Sequence, residues 1–104
     1  MRVYIIRKKD GVRASGDYDP KTNELIVLAG SILSKDISYT AKFRGAKSVE
    51  KARDGIVKER ILQQNVTFKS ASTAGNFVTG RSTNGLLVWK NDEGLSIKEY
   101  LSRS

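Results

Sequence analysis

The residues with the most chemical reach stand together in Gly80-Arg81-Ser82-Thr83-Asn84-Gly85. An arginine fork pairs bidentately with phosphate or with the guanine edge, and a side-chain amide pairs with adenine. A glycine-bounded loop that follows a helix adds backbone donors for an anion or a base edge. The same residue types also serve structure: Gly80 stands where a helix C-terminal glycine belongs, and Asn84-Gly85 makes a turn in which Asn84 can bond its own backbone. The loop is not a P-loop, because no Gly-Lys-Ser/Thr follows a four-residue spacer. Just upstream, Ser70 is a good N-cap, and a helix starting there offers free amides and a favourable dipole to an anion, with Ser72 alongside. Trp89 could stack on a base, although a lone tryptophan beside an apolar run reads first as core.

What is missing narrows the chemistry. The chain has no cysteine and no histidine. Disulfides, thiol chemistry, zinc sites built on Cys or His and a histidine general base are therefore excluded. The carboxylates are scattered, and the adjacent pair Asp92-Glu93 sits in a turn, where acids are ordinarily solvated. No catalytic residue, metal or cofactor is expected. Nineteen Lys and Arg against eleven Asp and Glu give a formal charge of +8, which favours an anionic partner, nucleic acid first. Solubility alone is the plain alternative for such a charge. No apolar run approaches the roughly 20 residues of a membrane span, Met1–Arg7 is too charged for a leader, and a cytoplasmic monomer is expected.

The positioning elements can be read in order. Arg2–Arg7 is a β-branched and aromatic strand with Val3 and Ile5 on one face, Tyr4 and Ile6 on the other. Asp10-Gly11 signals a hairpin. In the next strand Val12, Ala14, Gly16 and Tyr18 share a face, and the small residues imply close packing over it. After a turn at Asp19–Asn23, the apolar run 24–29 reads as the best-buried strand. Residues 32–45 form a long connection that packs its aromatics down. From Gly45 to Gln63, Ala46, Val49, Ala52, Ile56, Val57 and Ile61 fall in one helical stripe, with Asp54 and Lys58 paired on the far side. Arg53 and Arg60 project towards the apolar side, either snorkelling or lining a groove between helix and sheet. Val66–Phe68 is a short strand, 71–79 a short helix burying Ala74, Phe77 and Val78, and 86–89 a strand. After a turn at Asn91–Gly94, a final helix covers Ile97–Leu101, capped by Ser96, with Ile97, Tyr100 and Leu101 inward. The expectation is one domain over residues 1–104 of class α+β. A three-stranded antiparallel meander at the N-terminus is extended by later short strands, with one long and two short helices packed on it.

Ser70-Ala71-Ser72-Thr73-Ala74-Gly75, followed by Phe77-Val78-Thr79-Gly80-Arg81-Ser82-Thr83-Asn84-Gly85 and Trp89, resembles a bacterial and archaeal domain-of-unknown-function family. That domain is often appended to GIY-YIG-type endonuclease domains and other restriction-modification or DNA-processing proteins, and is similar to RAMA domains. Ala14, Gly16, the Leu25–Leu28 strand, Gly30-Ser31 and Arg53 also look like family positions, so the resemblance covers nearly the whole chain. Three positions depart from it: Ala71 stands for a usual proline, Gly75 for alanine and Leu86 for tryptophan. The resemblance implies a non-catalytic DNA-binding accessory domain, since neither Gly-Ile-Tyr nor Tyr-Ile-Gly is present. In that role Arg81 and Ser82 contact phosphate or a base, and Asn84 holds the loop or reads an edge. Ser70 and Ser72 present the helix start to phosphate, while Arg53, Arg60 and Lys90 supply charge. The alternative is a protein-interaction module that docks on a nuclease or methylase partner.

Overall fold

A computed structural model describes residues 1–40 and 42–103. In chain order its elements are β1 (Arg2–Arg7), β2 (Val12–Tyr18), β3 (Leu25–Val27), α1 (Ala46–Arg53), β4 (Val57–Lys58), β5 (Ile61–Leu62), β6 (Val66–Phe68), α2 (Ala71–Thr79), α3 (Gly85–Val88) and α4 (Ile97–Ser102). The class is α+β, with the antiparallel meander β1-β2-β3 extended by β6. Its register pairs Ile5 with Ala14, Gly16 with Val27 and Leu25 with Phe68. The alternation places Val3, Ile5, Val12, Ala14, Tyr18, Leu25 and Val27 on one buried face. Gly16 is small for a local reason: a Cβ there would stand 2.7 Å from Leu25 Cδ2 and 2.9 Å from the Ile26 carbonyl.

The central helix α2 lies across this face. Ser70 caps it, its hydroxyl accepting from the Thr73 amide at 3.1 Å, and Gly80 closes it in the left-handed region at φ 69°. Ala71, Ala74, Phe77 and Val78 point into the core together with Trp89 and Ile97. Trp89 is fully buried, and its indole N–H donates to the Ala71 carbonyl at 3.0 Å, so its polar edge is satisfied as a buried indole requires. The expected cap of α4 is present as a full capping box between Ser96 and Glu99.

Three expectations are corrected. The helix predicted from Gly45 to Gln63 stops at Arg53. Gly55 (φ 78°), Glu59 (φ 51°) and Arg60 (φ 72°) leave the helical region, and β4 and β5 form a hairpin around the last two. The apolar stripe continues at helical spacing, but its distal residues are claimed by another segment. Gly30 donates to the Leu62 carbonyl at 2.8 Å, Leu62 to the Ser31 carbonyl at 2.9 Å, and Ile61 bridges Ile32. Asp54 and Lys58 are therefore not helix neighbours. The strand predicted at 86–89 is also replaced. Asn84 caps the one-turn helix α3, accepting from the Leu86 amide at 3.2 Å, and ladder pairing begins only at Lys90, which exchanges backbone bonds with Tyr4. A four-residue apolar run carries no period that separates helix from strand. Finally Tyr100 is 43% exposed, while Ile97 takes the buried side of α4.

The β4–β5 turn carries two successive non-glycine residues at positive φ, where Asn-Gly is the favoured pair. Glu59 is exposed. Its replacement Glu59→Asn is expected to stabilise the domain by about 0.5–1 kcal/mol, because asparagine tolerates the left-handed region better. A urea midpoint that stays put or falls contradicts this.

Candidate functional site

Most of the chemistry-bearing motif is committed to holding α3 and the loop before it against α2. Ser72 Oγ accepts from the Gly85 amide at 2.9 Å. Asn76 Oδ1 accepts from both the Thr83 amide at 2.8 Å and the Thr83 hydroxyl at 2.9 Å. Ser70 and Asn84 are helix caps. Gly85 packs directly on the start of α2: a Cβ would stand 2.1 Å from Ala71 C and 2.2 Å from Ser72 N. The Ser72 amide thus faces α3 at close range, which removes the space a phosphate would occupy there. Gly75 leaves room in the same way for Thr83, whose Oγ1 would lie 2.4 Å from an added Cβ. Glycine in place of the resemblance's alanine fits that approach.

Arg53 and Arg60, expected to supply charge to a ligand, turn inward. Arg53 donates from Nε and Nη2 to the Phe77 carbonyl at 3.1 and 2.7 Å, from Nη1 to the Ser34 carbonyl at 2.9 Å, and from Nη2 to Ser34 Oγ at 2.9 Å. It ties the C-terminal end of α2 to the connection that follows β3. Burial lowers its pKa from the ordinary arginine value; Tyr39 opposes this shift, and the neighbouring Arg60 adds a lesser push downward. Arg60 donates to the Leu33 carbonyl at 2.9 Å and the Asp10 carbonyl at 2.6 Å. Neither guanidinium is presented outward as a fork.

Arg81 and Ser82 are different. Both are exposed, and the Arg81 guanidinium has no hydrogen bond or ion pair among the described residues. Both line a cleft of about 450 Å³ at the C-terminal end of α2, with Lys35, Asp36 and Lys42 on the wall formed by residues 34–38, 40, 42 and 43. Lys35 and Lys42 are likewise exposed and unpaired among the described residues. The site therefore brings Arg81 and Ser82 together with two lysines that the motif did not indicate. Their only sequence signal is the polar, lysine-bearing character of a connection with no period. Ser70, Ser72 and Asn84 are not in the cleft. Since α2 rises about 1.5 Å per residue, its Ser70 start and its Arg81 end are well separated. Lys90 lies on a second groove with Ile6 and Leu87. No group of three or more carboxylates that could hold a metal occurs among the described residues.

The fold and site define a small α+β domain with a polar, lysine- and arginine-bearing cleft at the C-terminal end of its central helix. The chain belongs to the family described as Domain of unknown function (DUF4357), whose model matches residues 4–101. No curated protein and no solved structure matches it.

Proposed function

We propose that the domain is a non-catalytic nucleic-acid-binding module, an accessory to DNA processing or restriction-modification as its resemblance implies. One observation carries the reading: on a chain of charge +8, the motif arginine shares a cleft with two lysines, and none of the three makes an ion pair among the described residues. Cations that make no internal ion pair are available to displace counterions from a phosphate backbone. The working residues are Arg81, Ser82, Lys35 and Lys42. The remaining motif residues shape the wall that presents them.

A salt titration with duplex and single-stranded DNA tests this. Arg81→Ala is expected to weaken binding about tenfold at low salt and to reduce the log–log salt slope by about 1. Absence of binding at low salt, or an unchanged affinity and slope in the variant, would sink the reading. Docking on a protein partner is favoured by a separate observation. Ile6 and Leu87 are 61% and 47% exposed and line one groove of about 720 Å³ beside the edge strand β1. That reading predicts salt-insensitive association with a protein and no effect of Arg81→Ala.

A further inference from the structure

The Arg81 cleft is closed at its base. Its walls are joined by two backbone bonds: the Ser34 amide donates to the Val78 carbonyl at 2.9 Å, and the Ser38 amide to the Gly80 carbonyl at 2.8 Å. Between these bonds the walls touch, since a Cβ on Gly80 would stand 2.4 Å from the Asp36 carbonyl and 2.8 Å from Ser34 Oγ. The volume of about 450 Å³ falls in the range of small-molecule sites, about 300–1,000 Å³, and suits one residue of a chain.

The helix end at this floor would ordinarily repel an anion, because its last carbonyls carry the negative end of the dipole. Here three of the carbonyls at that end are occupied: Phe77 O by Arg53, Val78 O by the Ser34 amide and Gly80 O by the Ser38 amide. Above them stand Arg81, Lys35 and Lys42 for an anion, and the exposed Asp36 carboxylate, without an ion pair among the described residues, for a hydrogen-bond donor. The other lining carboxylate, Asp10, faces Arg7 at 3.6 Å and accepts from the Val12 amide at 3.4 Å. A lining that sets carboxylate and hydroxyl acceptors beside its cations does not match a bare phosphate. It matches a nucleotide, anionic at its phosphate and bearing donors on its sugar and base.

We infer that the cleft between residues 34–38, 40, 42 and 43 on one wall and 79, 81 and 82 on the other takes the terminal nucleotide of a nucleic-acid strand, with its phosphomonoester at Arg81 and Lys42 and a sugar or base donor at Asp36. The inference rests on the nucleic-acid reading above and adds recognition of a strand end. A terminal monoester carries more charge than an internal diester, and it alone lies at a point where the chain can stop. Arg81 and Lys42 are exposed, so replacing them leaves the core untouched.

The test is fluorescence anisotropy with one labelled single strand in three forms: 5′-phosphate, 3′-phosphate and hydroxyl at both ends. One phosphorylated form is expected to bind at least tenfold tighter than the hydroxyl form at matched salt. Arg81→Ala and Lys42→Ala should each erase most of that ratio, and Lys98→Ala, an exposed cation on α4 outside the cleft, should leave it. Equal affinity of all three strands overturns end recognition while leaving general nucleic-acid binding in place. A ratio that survives both cleft variants overturns the assignment to this cleft. Adenosine monophosphate that binds as tightly as the phosphorylated strand makes a free nucleotide the occupant and overturns the strand end. Failure of every strand to bind at low salt overturns the nucleic-acid reading itself.

Discussion

Gly85→Ala is expected to destabilise the domain by about 3 kcal/mol or more, at the upper end of what overpacking costs. In a domain of this size that lowers the melting temperature by about 12 °C or more. The reason is space. The added methyl would stand 2.1 Å from Ala71 C, 2.2 Å from Ser72 N and 2.4 Å from the Ala71 carbonyl oxygen. These are backbone atoms in the first turn of α2, so no side-chain rotation relieves the overlap. Either α3 lifts away, breaking the Gly85 amide bond to Ser72 Oγ, or the start of α2 unwinds, taking with it the carbonyl that receives the Trp89 indole. Gly94 gives the contrast. It sits at φ 80° with nothing within 4 Å of an added Cβ, so its constraint is conformational alone, and Gly94→Asn should shift the midpoint by less than 1 kcal/mol. Urea denaturation of both variants checks the pair. A Gly85→Ala midpoint within about 1 kcal/mol of the parent would mean that α3 does not bear on α2 as described.

This contrast shows where the sequence was legible. Glycines at turns and caps announce themselves by context: Gly11 follows Asp10 in a hairpin, and Gly80 ends an amphipathic segment with a clear N-cap nine residues upstream of its last turn residue, Thr79. Period-two alternation over Val12–Tyr18 placed the buried face of β2 residue by residue. Gly85 looks like half of an Asn-Gly turn, and nothing local reveals that it is pressed on Ala71, fourteen positions earlier. The Gly45–Gln63 stripe failed for a related reason. Its spacing satisfied a helix throughout, but Leu62 is held by Gly30 and Ser31, a contact between segments more than thirty residues apart. Local pattern names an element only until a distant segment offers its backbone better bonds.

The candidate site divides along the same line. The six-residue loop was visible as a cluster of polar and basic residues, but residue types alone cannot tell a side chain that grips the fold from one that waits for a ligand. Asn76, absent from the sequence-derived set, turns out to anchor Thr83, and Ser72 anchors Gly85. After those bonds are assigned, Arg81 and Ser82 are what the loop presents. The opposite wall, with Lys35 and Lys42, comes from a connection of no regular period and could only be joined to Arg81 by the fold.

Arg53→Met is expected to cost about 2–3 kcal/mol, the size of effect seen when half-buried acceptors lose their charged donor. The Phe77 carbonyl is one of the orphan acceptors at the end of α2. The amide that would ordinarily approach it, that of Arg81, instead donates to Thr79 Oγ1 at 3.3 Å, leaving Arg53 as its partner. Methionine fills the volume but supplies no donor, so the Phe77 and Ser34 carbonyls would lose the guanidinium that now joins them. Arg53→Lys separates charge from geometry: an ammonium keeps the cation at the helix end but cannot span both carbonyls as the planar fork does, and it should recover no more than half of the loss. The readout that distinguishes this clamp from general packing is local. In Arg53→Lys the Ser34 and Ser38 amides, which join the cleft walls, should exchange with solvent markedly faster, while the amides between β1 and β2 keep their protection. Uniformly faster exchange across both regions would show that Arg53 acts only through global stability. Selective loosening would instead tie an arginine that presents no free fork to a ligand directly to the shape of the cleft that holds Arg81.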